Sequence, residues 1–141
     1  MSKQGVLFLC SGNSARSQMA EGYLRQLAGD RFEVESAGIE PKGVNPLAVA
    51  VMREVGIDIS GQQSKTAGSL LKRSFRYVVT VCDNAHERCP IFPGAVKRLH
   101  WPLDDPAAAT GTEAERLAVF RRVRGEIAER IQAFLRDNPA R

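Results

Sequence analysis

Aromatic residues make up only 6% of the chain, too few and too scattered to build the stacking platform that a single-stranded nucleic-acid binder needs. Long apolar runs are missing as well. Met1-Ser2-Lys3-Gln4 precedes a run that spans only Gly5-Val6-Leu7-Phe8-Leu9, shorter than a signal-peptide core, and nothing later approaches the length of a membrane span. A cytosolic location without a membrane partner is therefore expected. With only three cysteines, an odd number, a framework of structural disulfides is excluded and reactive thiols become the better reading. No C-x2-C pair exists, so a zinc site is not expected, and no metal is assigned. Internal repeats and low-complexity tracts are absent.

What is present describes one domain over residues 1–141, with 43% apolar and 26% charged residues, long enough to bury a core without staples. The formal charge of +4 is spread along the chain and interleaved with acids. That pattern predicts a solvated mixed-charge surface and no nucleic-acid partner; a monomer is expected.

The most informative stretch is Cys10-Ser11-Gly12-Asn13-Ser14-Ala15-Arg16-Ser17. It follows the apolar run and opens onto a helical pattern over residues 18–28, giving strand, tight loop and helix. Gly12 and Asn13 tolerate positive φ, so the loop can turn until several backbone N–H groups converge on one centre, a nest for a tetrahedral oxyanion. The free N–H groups and dipole of the following helix add to that centre. Arg16 offers a planar fork for two anion oxygens. Cys10 then sits where its surroundings favour a thiolate, with Ser17 placed to donate a hydrogen bond to the sulfur. Ser11, Gly12, Asn13, Ser14, Ala15 and Arg16 are the oxyanion-binding set. The alternative, a small buried hydrophobe at a strand end, does not account for the Gly, Asn and Ser spacers with Arg in register behind them.

Further along, residues 32–36 alternate as a strand, and Asn45-Pro46 starts a short helix closed by Gly56. Residues 64–74 suggest a helix around Leu70 and Leu71. Residues 77–82 form a β-branched run buried on both faces, and residues 96–101 a fourth, less buried strand. A closing helix over residues 112–135 carries Leu117, Phe120, Val123, Ile127, Ile131 and Phe134 at steps of three and four, with Thr112 and Glu115 as its capping box. In the first helix, Met19, Ala20, Tyr23, Leu24 and Leu27 make the apolar face. Strands alternating with helices predict an α/β fold, three layers α/β/α around a four-stranded parallel sheet. Its ligands belong outside the carboxyl ends of the strands, where the strand order reverses. If strands one and three are neighbours, Cys10 and Cys82 share one rim.

Cys82 and Cys89 lie seven residues apart. Their Cα atoms stand roughly 10 Å apart if the segment is helical and over 20 Å apart if it is extended. A disulfide needs about 4.4–6.8 Å, so a bond between them requires the segment to change shape, for which Asp83, Asn84 and Pro90 are suited. His86 reads as a solvated loop residue, and His100 and Trp101 as strand-end packing. Asp104-Asp105-Pro106 follows the fourth strand onto the same rim. Beside a cysteine nucleophile, a carboxylate is the expected proton donor to a leaving oxygen. Asp105 takes that role, with Asp104 the weaker candidate.

Together these motifs, residues 10–21, Ser36-Ala37-Gly38-Ile39-Glu40, Val44-Asn45-Pro46, Val55-Gly56-Ile57-Asp58-Ile59-Ser60, Val78-Val79-Thr80-Val81-Cys82, Cys89-Pro90 and Asp104-Asp105-Pro106, resemble the thioredoxin-coupled arsenate reductases over nearly the whole chain. That family shares the fold of the low-molecular-weight protein tyrosine phosphatases. The resemblance implies that arsenate is held by the loop amides and Arg16 while Cys10 attacks arsenic. It implies that Cys82 then attacks Cys10 and that Cys89 resolves the disulfide, with thioredoxin as the external reductant and no bound cofactor. Two departures stand out. Ala15 occupies a position that is often cysteine in relatives. A potassium site that some members build from residues matching Asn13, Glu21, Ser36 and an aspartate has Lys65 at the last position, so the Lys65 ammonium is expected to replace the ion beside Glu21. Ala107, Ala108 and Ala109 follow Asp-Pro where phosphatases of this fold typically carry tyrosines, which favours a small oxyanion; weak aryl phosphatase activity remains compatible with the cradle.

Overall fold

In the computed structural model, which describes residues 3–82, 92 and 94–139, four parallel strands form one sheet in the order β2-β1-β3-β4. The elements run β1 (Gln4–Cys10), α1 (Arg16–Ala28), β2 (Phe32–Gly38), α2 (Pro46–Glu54), β3 (Tyr77–Thr80), β4 (Lys97–His100) and α3 (Glu113–Asp137), with short 3-10 turns at Ala67–Leu70 and Pro106–Ala108. The architecture is α/β with the four-stranded parallel sheet expected from the alternation of strands and helices.

β1 is central because it is apolar on both faces, and residues 5–10 are all buried. It pairs with β2 through the register Cys10↔Gly38 and with β3 through Leu9↔Thr80. The chain moves from β1 outward to β2 and then returns to β3 on the other side of β1. This reversal opens a crevice at the carboxyl ends of β1 and β3. Val81 continues the pairing by one residue, its N–H donating to Leu9 O at 2.9 Å. Cys82 therefore emerges beside the end of β1.

α1 packs on β1 and β2 and meets α3, which also holds α2. The α3 stripe is buried at Phe120, Val123, Ile127, Ile131 and Phe134, and its start has the full Thr112–Glu115 capping box. Asn45 caps α2 by accepting the Leu47 N–H at 2.8 Å. Trp101 packs at 5.6 Å from Phe8, and His100 Nδ1 lies 2.8 Å from Thr80 Oγ1, so both are strand-end packing. Among the described residues, no helix is long and apolar enough to cross a membrane.

Two local expectations are corrected. Residues 64–74 do not make a helix; they contain only the 3-10 turn Ala67–Leu70. The reason is that Lys65 O accepts the Gly38 N–H at 2.8 Å, and Thr66 forms an isolated parallel bridge with Gly38. The backbone is thus committed to the edge of β2 before a helix can start. Leu27 is 51% exposed rather than part of the buried face of α1. That face is rotated toward Ser17, Gln18, Glu21 and Gly22, all buried.

Candidate active site

The loop between β1 and α1 is fastened by its carbonyls. Cys10 O accepts from Ile39 N at 3.3 Å, Ser11 O from Glu40 N at 2.8 Å, Gly12 O from Lys42 N at 2.8 Å and Ser14 O from Asn45 N at 2.9 Å. Asn13 O accepts from Gln18 Nε2 at 3.0 Å. With this side stitched to the segment after β2, the opposite, N–H side faces the crevice. Among the described residues no protein group accepts the N–H of Gly12, Ser14 or Ala15. Ala15, at the N-cap of α1, supplies no side-chain cap, so the first-turn amides are also left for a ligand. Asn13 has φ of 45°, the left-handed turn that Asn tolerates well. Gly38 backs the loop: a Cβ there would lie 2.8 Å from both Asn13 N and Ser11 O, so only glycine allows this approach.

Cys10 is 2% exposed, and its sulfur faces two donors. Asn13 N–H donates to Cys10 Sγ at 3.1 Å, and Ser17 Oγ lies 2.8 Å from Sγ. Ser17 Oγ already accepts from Asn13 Nδ2 at 2.9 Å, which directs its own hydrogen toward the sulfur. Behind this pair, Asn13 Nδ2 also donates to Ser36 Oγ at 2.9 Å, and Ser36 donates to Glu21 Oε1 at 2.5 Å. A chain of buried hydrogen bonds thus fixes the groups around Cys10, every member satisfied.

Arg16 crosses to the later half of the chain. Its Nη1 donates to Leu103 O at 3.0 Å, and its Nη2 stands 3.7 Å from Asp105 Oδ2. Asp105 Oδ1 accepts from Ala107 N at 3.0 Å, which fixes the carboxylate at the rim. Asp104 turns outward, 3.1 Å from Arg122 Nη2 on α3. A cavity of about 260 Å³ is lined by Cys10, Ser11, Gly12, Ser14, Ala15, Arg16, Lys42, Asp105, Ala107 and Ala108. Its size fits a small oxyanion, and among the described residues no aromatic side chain lines it. A larger cavity of about 580 Å³ lies on the Glu21, Arg25 and Lys65 side; no cysteine lines it among the described residues, so chemistry and not volume selects the Cys10 cavity. Cys82 is buried and, like Cys10, is not part of a disulfide. Cys89 and His86, with Asp83, Asn84 and Pro90, lie outside the described residues.

The cation-site residues come together, but not as expected. Lys65 N donates to Asn13 Oδ1 at 2.9 Å, whereas its ammonium pairs with Glu35 at 3.2 Å and donates to Gln63 O at 3.3 Å. The positive charge on buried Glu21 comes from Arg25, whose Nη2 lies 2.7 Å from Oε2. Glu21 thus already has the Arg25 guanidinium as its counter-charge, in the role a resident cation would take. Burial alone pushes the Glu35 carboxyl up, but the bonds from Arg73 and Lys65 outweigh it and hold the carboxyl below its ordinary range. Arg25 was legible as the residue one helical turn after Glu21. Lys42, also unassigned from sequence, had no motif to mark it.

The low molecular weight phosphotyrosine protein phosphatase family model matches residues 5–139. The arsenate reductase of Halalkalibacterium halodurans is 53% identical over 134 residues, covering 95% of this chain and 96% of that protein. A solved structure of an arsenate reductase in the phosphate binding state superposes with a TM-score of 0.83 at 35% identity, over 96% of this chain and 99% of that one. A thioredoxin-dependent arsenate reductase of Corynebacterium glutamicum gives a TM-score of 0.75 at 30% identity, over 96% of this chain and 61% of that chain.

Proposed function

Because this chain belongs to the low molecular weight phosphotyrosine protein phosphatase family, we propose that it has turned the family's cysteine cradle to the reduction of arsenate to arsenite, regenerated by thioredoxin. The observation that carries the reading is the pairing of Cys10, held under two donors in an alanine-rimmed oxyanion cavity, with a second cysteine outside any disulfide, Cys82, just past the end of the neighbouring strand. A phosphatase needs only the first thiol.

In the proposed reaction the loop amides and Arg16 hold arsenate, and the Cys10 sulfur attacks arsenic. Asp105 gives a proton to the departing oxygen, which leaves as water. Cys82 then attacks the Cys10 sulfur. The sulfur–arsenic bond breaks with its electron pair going to arsenic, so arsenic(V) becomes arsenic(III) and two thiols become one Cys10–Cys82 disulfide. Cys89 attacks Cys82, freeing Cys10 and leaving a Cys82–Cys89 disulfide for thioredoxin to reduce. Electrons come from thiols throughout, so no bound redox cofactor is required.

The names of the H. halodurans and C. glutamicum relatives support the substrate and the reductant. Weak hydrolysis of small aryl phosphates is a compatible side activity, since the cradle has nothing that rejects phosphate. The test is turnover of arsenate with thioredoxin, thioredoxin reductase and NADPH. Cys82→Ser is expected to abolish it while sparing aryl phosphate hydrolysis. If folded Cys82→Ser still reduces arsenate at the normal rate, the relay is wrong.

A further inference from the structure

We propose that Lys42 is a substrate-binding residue, the outer cation that receives the second negative charge of the oxyanion at the mouth of the cradle; this rests on the reading of that cavity as the arsenate site. Lys42 belongs to the segment that fastens the loop, its N–H donating to Gly12 O at 2.8 Å. Its aliphatic stem lies against the one cradle residue without a side chain: Cδ and Cγ are 3.5 and 3.6 Å from where a Gly12 Cβ would stand. The stem is thus laid along the loop, and the side chain forms part of the cavity wall with Cys10, Arg16 and Asp105. Long cationic side chains pack their methylenes in this way while the charged head stays in water.

The charge balance of the cavity gives the ammonium its task. Among the described residues no carboxylate pairs with Lys42, whereas the other cation, Arg16, already has Asp105 at 3.7 Å. With Asp105 carrying the proton that it gives to the departing oxygen, Arg16 supplies one full positive charge. A doubly charged oxyanion entering the cradle then meets the loop amides, which carry only partial charge, and needs a further full positive charge. Lys42 is the cation on the wall that supplies it. The product differs in the respect that matters, since arsenious acid is uncharged near neutral pH. Lys42 therefore holds substrate and releases product without any movement.

The experiment compares reduced wild-type protein with Lys42→Met and Lys42→Arg, using two readouts. One is the dissociation constant for inorganic phosphate, measured by calorimetry without turnover. The other is KM and kcat for arsenate in the thioredoxin-coupled assay. Lys42→Met is expected to weaken phosphate binding on the order of tenfold, the loss of one charge-assisted contact. It is expected to raise the arsenate KM by the same factor, leave kcat within about twofold and leave inhibition by arsenite unmoved. Lys42→Arg is expected to retain most of the affinity. Unchanged phosphate binding in folded Lys42→Met, or a fall in kcat at constant KM, overturns the proposal. Wild-type protein that binds phosphate through Lys42 but does not reduce arsenate supports the assignment of Lys42 and removes the reductase reading instead.

Discussion

Replacing Gly38 by alanine tests the claim that the cradle's shape is set by backbone contact from β2. A Cβ at this position would sit 2.8 Å from Asn13 N, 2.8 Å from Ser11 O and 2.9 Å from Asn13 Cβ. Ordinary contact begins near 3.4 Å, so the loop must retreat by roughly 0.6 Å against two backbone atoms, neither of which can swing away. Gly38 itself cannot retreat. It is paired with Cys10 in the β1–β2 register and donates to Lys65 O at 2.8 Å on the other side. Overpacking of this kind costs about 1–3 kcal/mol, which for a chain of this size lowers Tm by roughly 4–8 °C at the middle of that range. The functional loss should be larger in proportion. Asn13 N, one of the displaced atoms, is a donor to Cys10 Sγ, and sub-ångström errors in a preorganised donor set cost up to about a hundredfold in rate. The assay is paired: thermal unfolding with and without phosphate, and arsenate turnover. Gly38→Ala should keep its fold, lose most of the phosphate-induced rise in Tm and lose most of its turnover. A folded Gly38→Ala protein with wild-type phosphate stabilisation and turnover would refute the contact argument.

Two other outcomes follow from named contacts. Ser17→Ala removes the hydroxyl 2.8 Å from Cys10 Sγ, the proposed nucleophile, while Asn13 Nδ2 keeps Ser36 as an acceptor; kcat/KM should fall on the order of tenfold, the worth of one hydrogen bond, with little change in Tm, and an unchanged kcat/KM would show that Ser17 does not act on the sulfur. Glu54 has its carboxyl held down to about 2 from 4.5 by hydrogen bonds from Arg121 and Arg124, so its stabilising effect is fully present above about pH 4.5 and is lost as pH falls through about 2. Urea midpoints of wild type and Glu54→Gln should therefore be separated at neutral pH and converge across that interval, and a separation that stays constant with pH would remove Glu54 as the cause.

The parts of the molecule legible in the sequence are those set by local chemistry. An apolar run, then Gly12 and Asn13, then Arg16, dictates strand, left-handed turn and helix within seventeen residues, and Asn45, Thr112 and Glu115 mark helix starts by their own side chains. The placement of Cys10 and Cys82 on one rim depended on β1 and β3 being neighbours, which the alternation of strands and helices leaves open and the observed strand order supplies. The segment over residues 64–74 was misread because its conformation is decided by a distant partner, Gly38, and not by its own apolar spacing. Leu27 was misread for a related reason. The buried face of α1 is chosen by polar residues serving the cradle, Ser17, Gln18 and Glu21, which an apolar count assigns to the surface. Arg16 reaching Leu103 O, and Arg25 instead of Lys65 meeting Glu21, are choices among several equally spaced partners. Only the folded geometry makes them.

The stitching of loop carbonyls to residues 39–45 also divides labour along the chain. Most of the residues that line the anion cavity, Cys10 to Gly12, Ser14 to Arg16 and Lys42, lie in the first 45 residues, whereas Cys82 arrives from a separate strand. Chemistry can therefore be rewritten at the later positions, by gaining or losing a sulfur after β3 or an aromatic after Asp105, while the receptor for tetrahedral anions stays as it is. A scaffold arranged in this way can exchange hydrolysis for electron transfer with few substitutions.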